Sequence, residues 1–198
     1  MTVWTPIPGE TPIDPSGLKD RSIATREELC RVEEENIRKA HVKYLAAPPS
    51  RKLAPFDLEW MRKLHREMLG EVWVWAGQFR RENLNVGVAW HEVDQQVYDL
   101  TQRLRQWEED RPVEEQVVLL HHRAVQIHPF RNGNGRWARL LANIWQYSHK
   151  GGLTYWPEQT IGVTTSPVRM EYLRAIREAD GGDYASLKSM HKQYTRLE

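Results

Sequence analysis

Apolar residues recur along most of this chain at three- and four-residue spacing, the period that puts them on one face of an α-helix. Residues 23–46 carry Leu29, Val32, Ile37, Ala40 and Tyr44 on such a face, and Thr25 followed by Glu28 is a capping-box opening. On the same projection Glu33 and Asn36 share the apolar face, whereas Glu34 and Glu35 rotate away from it. A carboxylate on a buried face requires a cation or a proton, and one at its edge reaches water; periodicity leaves both open. Pro48-Pro49 ends this helix, and a second is predicted over 55–69 with Phe56, Leu58, Met61, Leu64, Met68 and Leu69 facing a core. His65 within it reads as packed or solvated. A helix over 92–109 follows, then one carrying Val113, Val117, Leu120, Ala124 and Ile127, widened by Val118, Leu119 and Val125. Being apolar nearly all round, it is predicted to be central, and it delivers His128 to its end, where Pro129 breaks it. The next helix has Trp137, Leu140, Leu141, Ile144 and Trp145 on one stripe and closes at Gly151-Gly152. Residues 153–165 read as loop or short extended structure, and two last helices are predicted at 166–179, opened by Ser166-Pro167, and at 183–195.

The period changes between 72 and 91. Leu84, Val86, Val88 and Trp90 alternate with Asn83, Asn85, Gly87 and Ala89, which predicts a short hairpin or an extended flap. A hairpin there can be purely structural, or its free edge can take an extended segment by strand addition. Four prolines and two glycines make residues 1–21 an irregular arm ahead of a domain at 22–198. The fold class is thus mainly α, with one small β-hairpin.

Composition narrows the function classes. At 198 residues, 28% charged and 40% hydrophobic, the chain is long enough for one well-buried core. A net charge of +1 gives no footprint for nucleic acid or a membrane surface, and no apolar run approaches the ~20 residues of a bilayer span. The first residues lack a signal-peptide layout, and Cys30 is the sole cysteine, so a cytoplasmic setting is expected. His121 and His122 sit without carboxylates or thiols at ligand-like spacing, so packing or hydrogen bonding is expected of them rather than metal binding.

The chemistry concentrates in His128-Pro129-Phe130-Arg131-Asn132-Gly133-Asn134-Gly135-Arg136-Trp137-Ala138-Arg139. The glycines fall at a loop-to-helix junction, where free N–H groups and the helix dipole favour an anion. Arg136 and Arg139 add fixed positive charge, and a histidine just before such a cradle can take a proton from an attacking hydroxyl. These residues read as a phosphate-handling active site.

That stretch resembles the HPFx(D/E)GNGRxxR signature of the Fic family, departing from it at Asn132. The segment Trp73 to Arg80 is similar to the approach to the Fic flap, and Arg177 to Tyr184 to the closing segment of many Fic domains. The subfamily it most resembles is that of Fic proteins labelled mobile mystery protein B. The resemblance implies a protein adenylyltransferase that moves AMP from ATP to a Ser, Thr or Tyr hydroxyl of a target protein. In that reading His128 is the general base, with Asn134 and Arg136 also catalytic. Phe130, Gly133, Asn134, Gly135, Arg136 and Arg139 bind nucleotide, Arg139 at the γ-phosphate. Residues 84–88 (Leu84, Asn85, Val86, Gly87, Val88) form the target-binding flap. Asn132 stands where the family has a Mg²⁺-binding carboxylate; a neutral amide oxygen should bind the cation less tightly. Many Fic proteins also carry an inhibitory (S/T)xxxE(G/N) helix whose glutamate pairs with the second signature arginine. That motif is degraded here, since Leu29 precedes Glu33 and Cys30 precedes Glu34 by four residues. Periodicity favours Glu33, paired with Arg139, and leaves Glu34 second. A small antitoxin-like or regulatory partner belongs to the same set of expectations. The rival readings are a catalytically idle Fic fold used for protein binding, and a variant that removes AMP or transfers another nucleotide moiety.

Overall fold

A computed structural model describes residues 13–163 and 166–197. Its helices are α1 (Arg26–Leu45), α2 (Leu58–Leu69), α3 (Val93–Asp110), α4 (Val113–Ile127), α5 (Asn134–Ser148), α6 (Glu158–Val163), α7 (Pro167–Asp180) and α8 (Ala185–Tyr194). Strands β1 (Leu153–Thr154) and β2 (Thr195–Arg196) pair antiparallel, Leu153 opposite Arg196 and Thr154 opposite Thr195.

The caps form as the side chains dictate. Thr25 and Glu28 close a full capping box on α1, and Ser166 accepts from the Arg169 N–H ahead of Pro167 on α7. The centre of the molecule is α4 packed along α5, so α4 shares the middle with its successor. Helix α5 is buried even at polar positions. There, Asn143 exchanges two 2.9 Å hydrogen bonds with the Thr154 backbone, and Gln146 donates to the Gly151 carbonyl. These amides close the chain where β1 leaves α5, satisfying groups that burial would otherwise penalise. Helix α1 lies on α2 through Leu29, Ala40 and Tyr44, and its buried Asn36 takes the Glu67 carbonyl and the Glu71 N–H, each at 2.9 Å.

Most of the expected arm, residues 1–12, lies outside the described residues. Its last part joins the fold: Leu18 is buried, Lys19 N–H donates to the Val72 carbonyl, and Val74 N–H to that of Gly17. The small sheet is not where the alternation predicted a hairpin. Residues 84–88 are bent and without strand, Val86 is 38% exposed, and the two-stranded pairing is made by β1 and β2 instead. The reason is that neighbouring carbonyls are already taken. Buried Arg80 donates to those of Glu82 and Val88, Val88 N–H donates to the Ile127 carbonyl, and Gly87 turns through φ +97°. The groups flanking this segment thus pair with an arginine and a helix end rather than with a strand.

The histidines of α2, α4 and α8 are core residues. His65 receives the Gly77 N–H on Nδ1 at 3.0 Å, so its Nε2–H donates to the Asn132 carbonyl, also at 3.0 Å, pinning the signature loop. His121 bridges His191 at 2.8 Å and the Tyr172 hydroxyl at 3.0 Å. Burial pushes His65 and His191 down to about 3 and holds His121 well below the usual imidazole range. All three stay neutral in the folded chain but take protons in the unfolded one below about pH 6.5. Stability is therefore full above that pH and falls as the pH drops toward 3, by up to ~1.4 kcal/mol per unit for each histidine. The urea midpoint should fall between about pH 7.5 and pH 5.5, and fall less in His65→Gln. A midpoint flat across that range would contradict the neutral-histidine core.

Candidate active site

Helix α4 ends at His128, whose backbone is left-handed (φ 53°, ψ 58°), and α5 begins beyond Gly133, itself left-handed at φ 77°. The chain thus folds back on itself within the signature. A side chain on Gly133 would meet Leu69 at 2.5 Å, so glycine is required there by space as well as by backbone. No side chain caps α5, and the residues at its start, Gly133 to Gly135, line a cavity. This cavity, about 380 Å³, is walled by α1, the signature, α6 and α7, and His128, Asn132, Gly133, Gly135, Arg136 and Arg139 all line it. The volume lies within the range of small-ligand sites.

The His128 Nδ1 faces the Val125 carbonyl at 3.3 Å, which places its proton on Nδ1 and a lone pair on Nε2. Burial chiefly, with Arg80 adding repulsion against the Val125 bond, pushes its pKa down to about 4. The ring is consequently neutral at pH 7, the state a base needs.

Two residues assigned to nucleotide also build the loop. The Phe130 ring is fully buried, stacked on His65 at 3.7 Å between centroids and edge-on to Trp137, and does not line the cavity. Its place in the signature is that of a core anchor. Asn134 spends both ends of its amide on Phe130: the Phe130 N–H donates to Oδ1 at 2.9 Å, and Nδ2 donates to the Phe130 carbonyl at 2.8 Å. The Asn134 amide is thus a clasp that shapes the loop, and the residue also lines the cavity.

Both signature arginines carry carboxylates. Glu33 is buried where the helical projection placed it, taking Trp73 Nε1 and Arg136 Nη1 at 2.6 Å each. The expected pairing of Glu33 with Arg139 is corrected: Glu33 holds the first arginine, and Arg139 is held by Glu158 of α6. That second pair is two-pronged, Nε to Oε1 at 2.7 Å and Nη2 to Oε2. Arg139 also lies 5.3 Å from the Tyr172 ring centroid, whose hydroxyl continues to His121. Glu34, the second choice, is exposed, though it borders the cavity. Burial disfavours both guanidinium charges, and their glutamates more than offset it, raising both pKa values. Glu158 was invisible to sequence reading because 153–165 showed no helical period. An acidic residue after Trp156-Pro157, in the first turn of a six-residue helix, was the only available signal.

The cation site fits the chain poorly. Asn132 Oδ1 already accepts the Gly133 N–H at 2.6 Å, and Glu33 and Glu158 are engaged by arginines. Among the described residues no group of three or more His, Cys, Asp or Glu could hold a metal. One neutral oxygen is less than the one or two carboxylates by which Mg²⁺ is ordinarily held. Nor is any described helix long and apolar enough to cross a membrane.

The comparisons agree on a mainly helical domain of one kind. Residues 55–145, a little under half of the chain, match the Fic/DOC family. Over 109 residues, 52% of the chain, it is 36% identical to Protein adenylyltransferase Fic of Drosophila virilis, and over 106 residues 29% identical to Protein adenylyltransferase VbhT of Bartonella schoenbuchensis. The matches span about a fifth of those relatives, 22% of each. The fold resembles that of the BepC protein of Bartonella tribocorum, crystallised with bound AMPPNP, at a TM-score of 0.70 and 17% identity over 97% of this chain and 96% of that one.

An anion entering the cradle competes with the glutamates for the arginines. The Glu158 side chain is 37% exposed and that of Glu33 only 6%, so Glu158 is the more easily displaced. Glu158→Gln should accordingly tighten inorganic tripolyphosphate by about five- to tenfold in calorimetry, the scale of one charged hydrogen bond removed as a competitor. Unchanged or weaker binding would take Glu158 out of the anion site.

Proposed function

We propose that this domain is a protein adenylyltransferase that moves AMP from ATP to a Ser, Thr or Tyr hydroxyl of a target protein. The observation that carries this reading is that a neutral histidine, the uncapped start of α5 and the two signature arginines line one nucleotide-sized cavity. The names of the sequence relatives, both protein adenylyltransferases, support it.

Nε2 of His128 takes the hydroxyl proton as the oxygen attacks the α-phosphorus. The bond from that phosphorus to the bridging oxygen breaks, and pyrophosphate leaves. The base is weak while the cavity is empty, but a bound polyphosphate, being an anion nearby, favours its protonated form. Arg136 and Arg139 hold the outer phosphates, and the helix N-terminus stabilises charge at the centre of the transfer. Glu33 restrains the reaction by occupying Arg136, with Trp73 fixing its other oxygen. A small partner that draws α1 off the signature would relieve that restraint.

His128→Ala should cut transfer of label from α-phosphate-labelled ATP by about 10²–10⁴-fold while ATP affinity holds, because the cradle and arginines remain. Parallel loss of binding and transfer would make His128 structural. A histidine-independent null rate in the unaltered chain would favour the idle, protein-binding reading.

The restraint has its own test. Glu33→Gly should raise self-labelling although glycine costs α1 about 1 kcal/mol, and Glu34→Gly should leave it near the parent rate. Flat labelling in Glu33→Gly would reduce α1 to scaffold.

A further inference from the structure

Arg80 is 1% exposed and forms no ion pair with any described carboxylate. Its charge is instead spread over main-chain carbonyls. Nε donates to His128 at 2.7 Å, Nη1 to Glu82 at 2.9 Å, and Nη2 to Val88 and, at 3.4 Å, to Ile127. Its own N–H donates to the Pro129 carbonyl at 2.9 Å. A buried cation without a counter-ion is costly and persists only where several strong acceptors converge on it. Here the acceptors belong to two loops. Ile127, His128 and Pro129 form the turn that carries the base, and Glu82 and Val88 bracket the segment expected to receive the target.

Space enforces the same arrangement. A side chain added at Gly87 would meet the His128 Cβ at 2.6 Å and Arg80 Nη2 at 2.8 Å, so the segment lies directly on the base and on the arginine. Val88 N–H donates to the Ile127 carbonyl at 3.4 Å, a second tie between the same loops. Only a planar fork with donors on three nitrogens reaches acceptors in these directions; an ammonium offers its donors from one point.

We propose that Arg80 is a positioning residue that fixes the base His128 and the target-facing segment 82–88 in one register, so that a hydroxyl presented by that segment arrives at Nε2. This rests on the adenylyl-transfer reading for its consequence, though not for its geometry. The carbonyl of His128 is held by Arg80 rather than by a helix, which maintains the left-handed backbone that turns the ring into the cavity. The phosphate-binding residues Gly133 to Arg139 receive no bond from Arg80, so nucleotide binding and transfer should respond differently to its loss.

Arg80→Lys keeps the charge and removes the fork; Arg80→Gln keeps two amide donors and removes the charge. In hydrogen–deuterium exchange, both should speed exchange over 82–90 and 127–130 and leave α1 and the body of α5 as in the parent. With labelled ATP and an acceptor protein, Arg80→Lys should lower kcat by about 10²-fold, the cost of a small misplacement of a base, with ATP affinity within twofold of the parent. Unchanged exchange in both loops would overturn the proposal, as would parallel losses of ATP affinity and kcat. If the parent chain transfers nothing, the adenylyl-transfer reading fails, and the exchange comparison, which needs no substrate, still decides whether Arg80 ties the loops.

Discussion

Two guanidinium groups on the first turns of a buried helix have to be neutralised, and much of the molecule is arranged to do so. Arg136 and Arg139 project from α5 into a cavity rather than into solvent. One glutamate comes to them from α1 and another from α6, elements on opposite sides of the signature in sequence. Each pair then sets further contacts. Glu33 draws in the Trp73 indole, and Trp73 is bridged to Leu18, so the end of the N-terminal arm is tied to the site. Arg139 lies over Tyr172, which leads through His121 to His191 at the far side of α4. The same charges that a polyphosphate would use therefore hold the ligand-free fold together.

This constraint gives the cavity a graded response to anions. The enclosed Arg136–Glu33 pair resists loss of one partner, at a cost on the order of 3–5 kcal/mol, yet exchange of one anion for another leaves either arginine satisfied throughout. On the proposed reading a nucleotide would thus act as a substitute rather than an intruder. Glu158, on a short helix and partly in water, can swing into solvent; Glu33, held by a tryptophan on a twenty-residue helix, cannot do so without moving α1. The hold on Arg136 is accordingly the stronger of the two.

How much of this could be read in the sequence depended on whether the signal was periodic. Glu33 was placed on the inner face by the 3.6-residue repeat alone, and the helix boundaries followed from Thr25, Ser166 and the prolines. Its partner was misassigned because a helical projection gives a direction, not the depth at which one helix crosses another. Glu158 and Arg80 lie in segments without period, and their roles depend on contacts 19 and 48 residues away. The alternation at 84–90 misled because it was real in sequence but had no strand to pair with, Arg80 having taken the carbonyls. Phe130 shows a different limit: a signature residue can serve as a core anchor without lining the cavity.

The most direct measurement is a crystal structure of the protein grown with a non-hydrolysable ATP analogue. It should show the phosphates against the N-terminus of α5, Arg139 released from Glu158 onto an outer phosphate, and the α-phosphorus within reach of His128 Nε2. An analogue bound elsewhere, or bound with both arginine–glutamate pairs intact, would contradict the account.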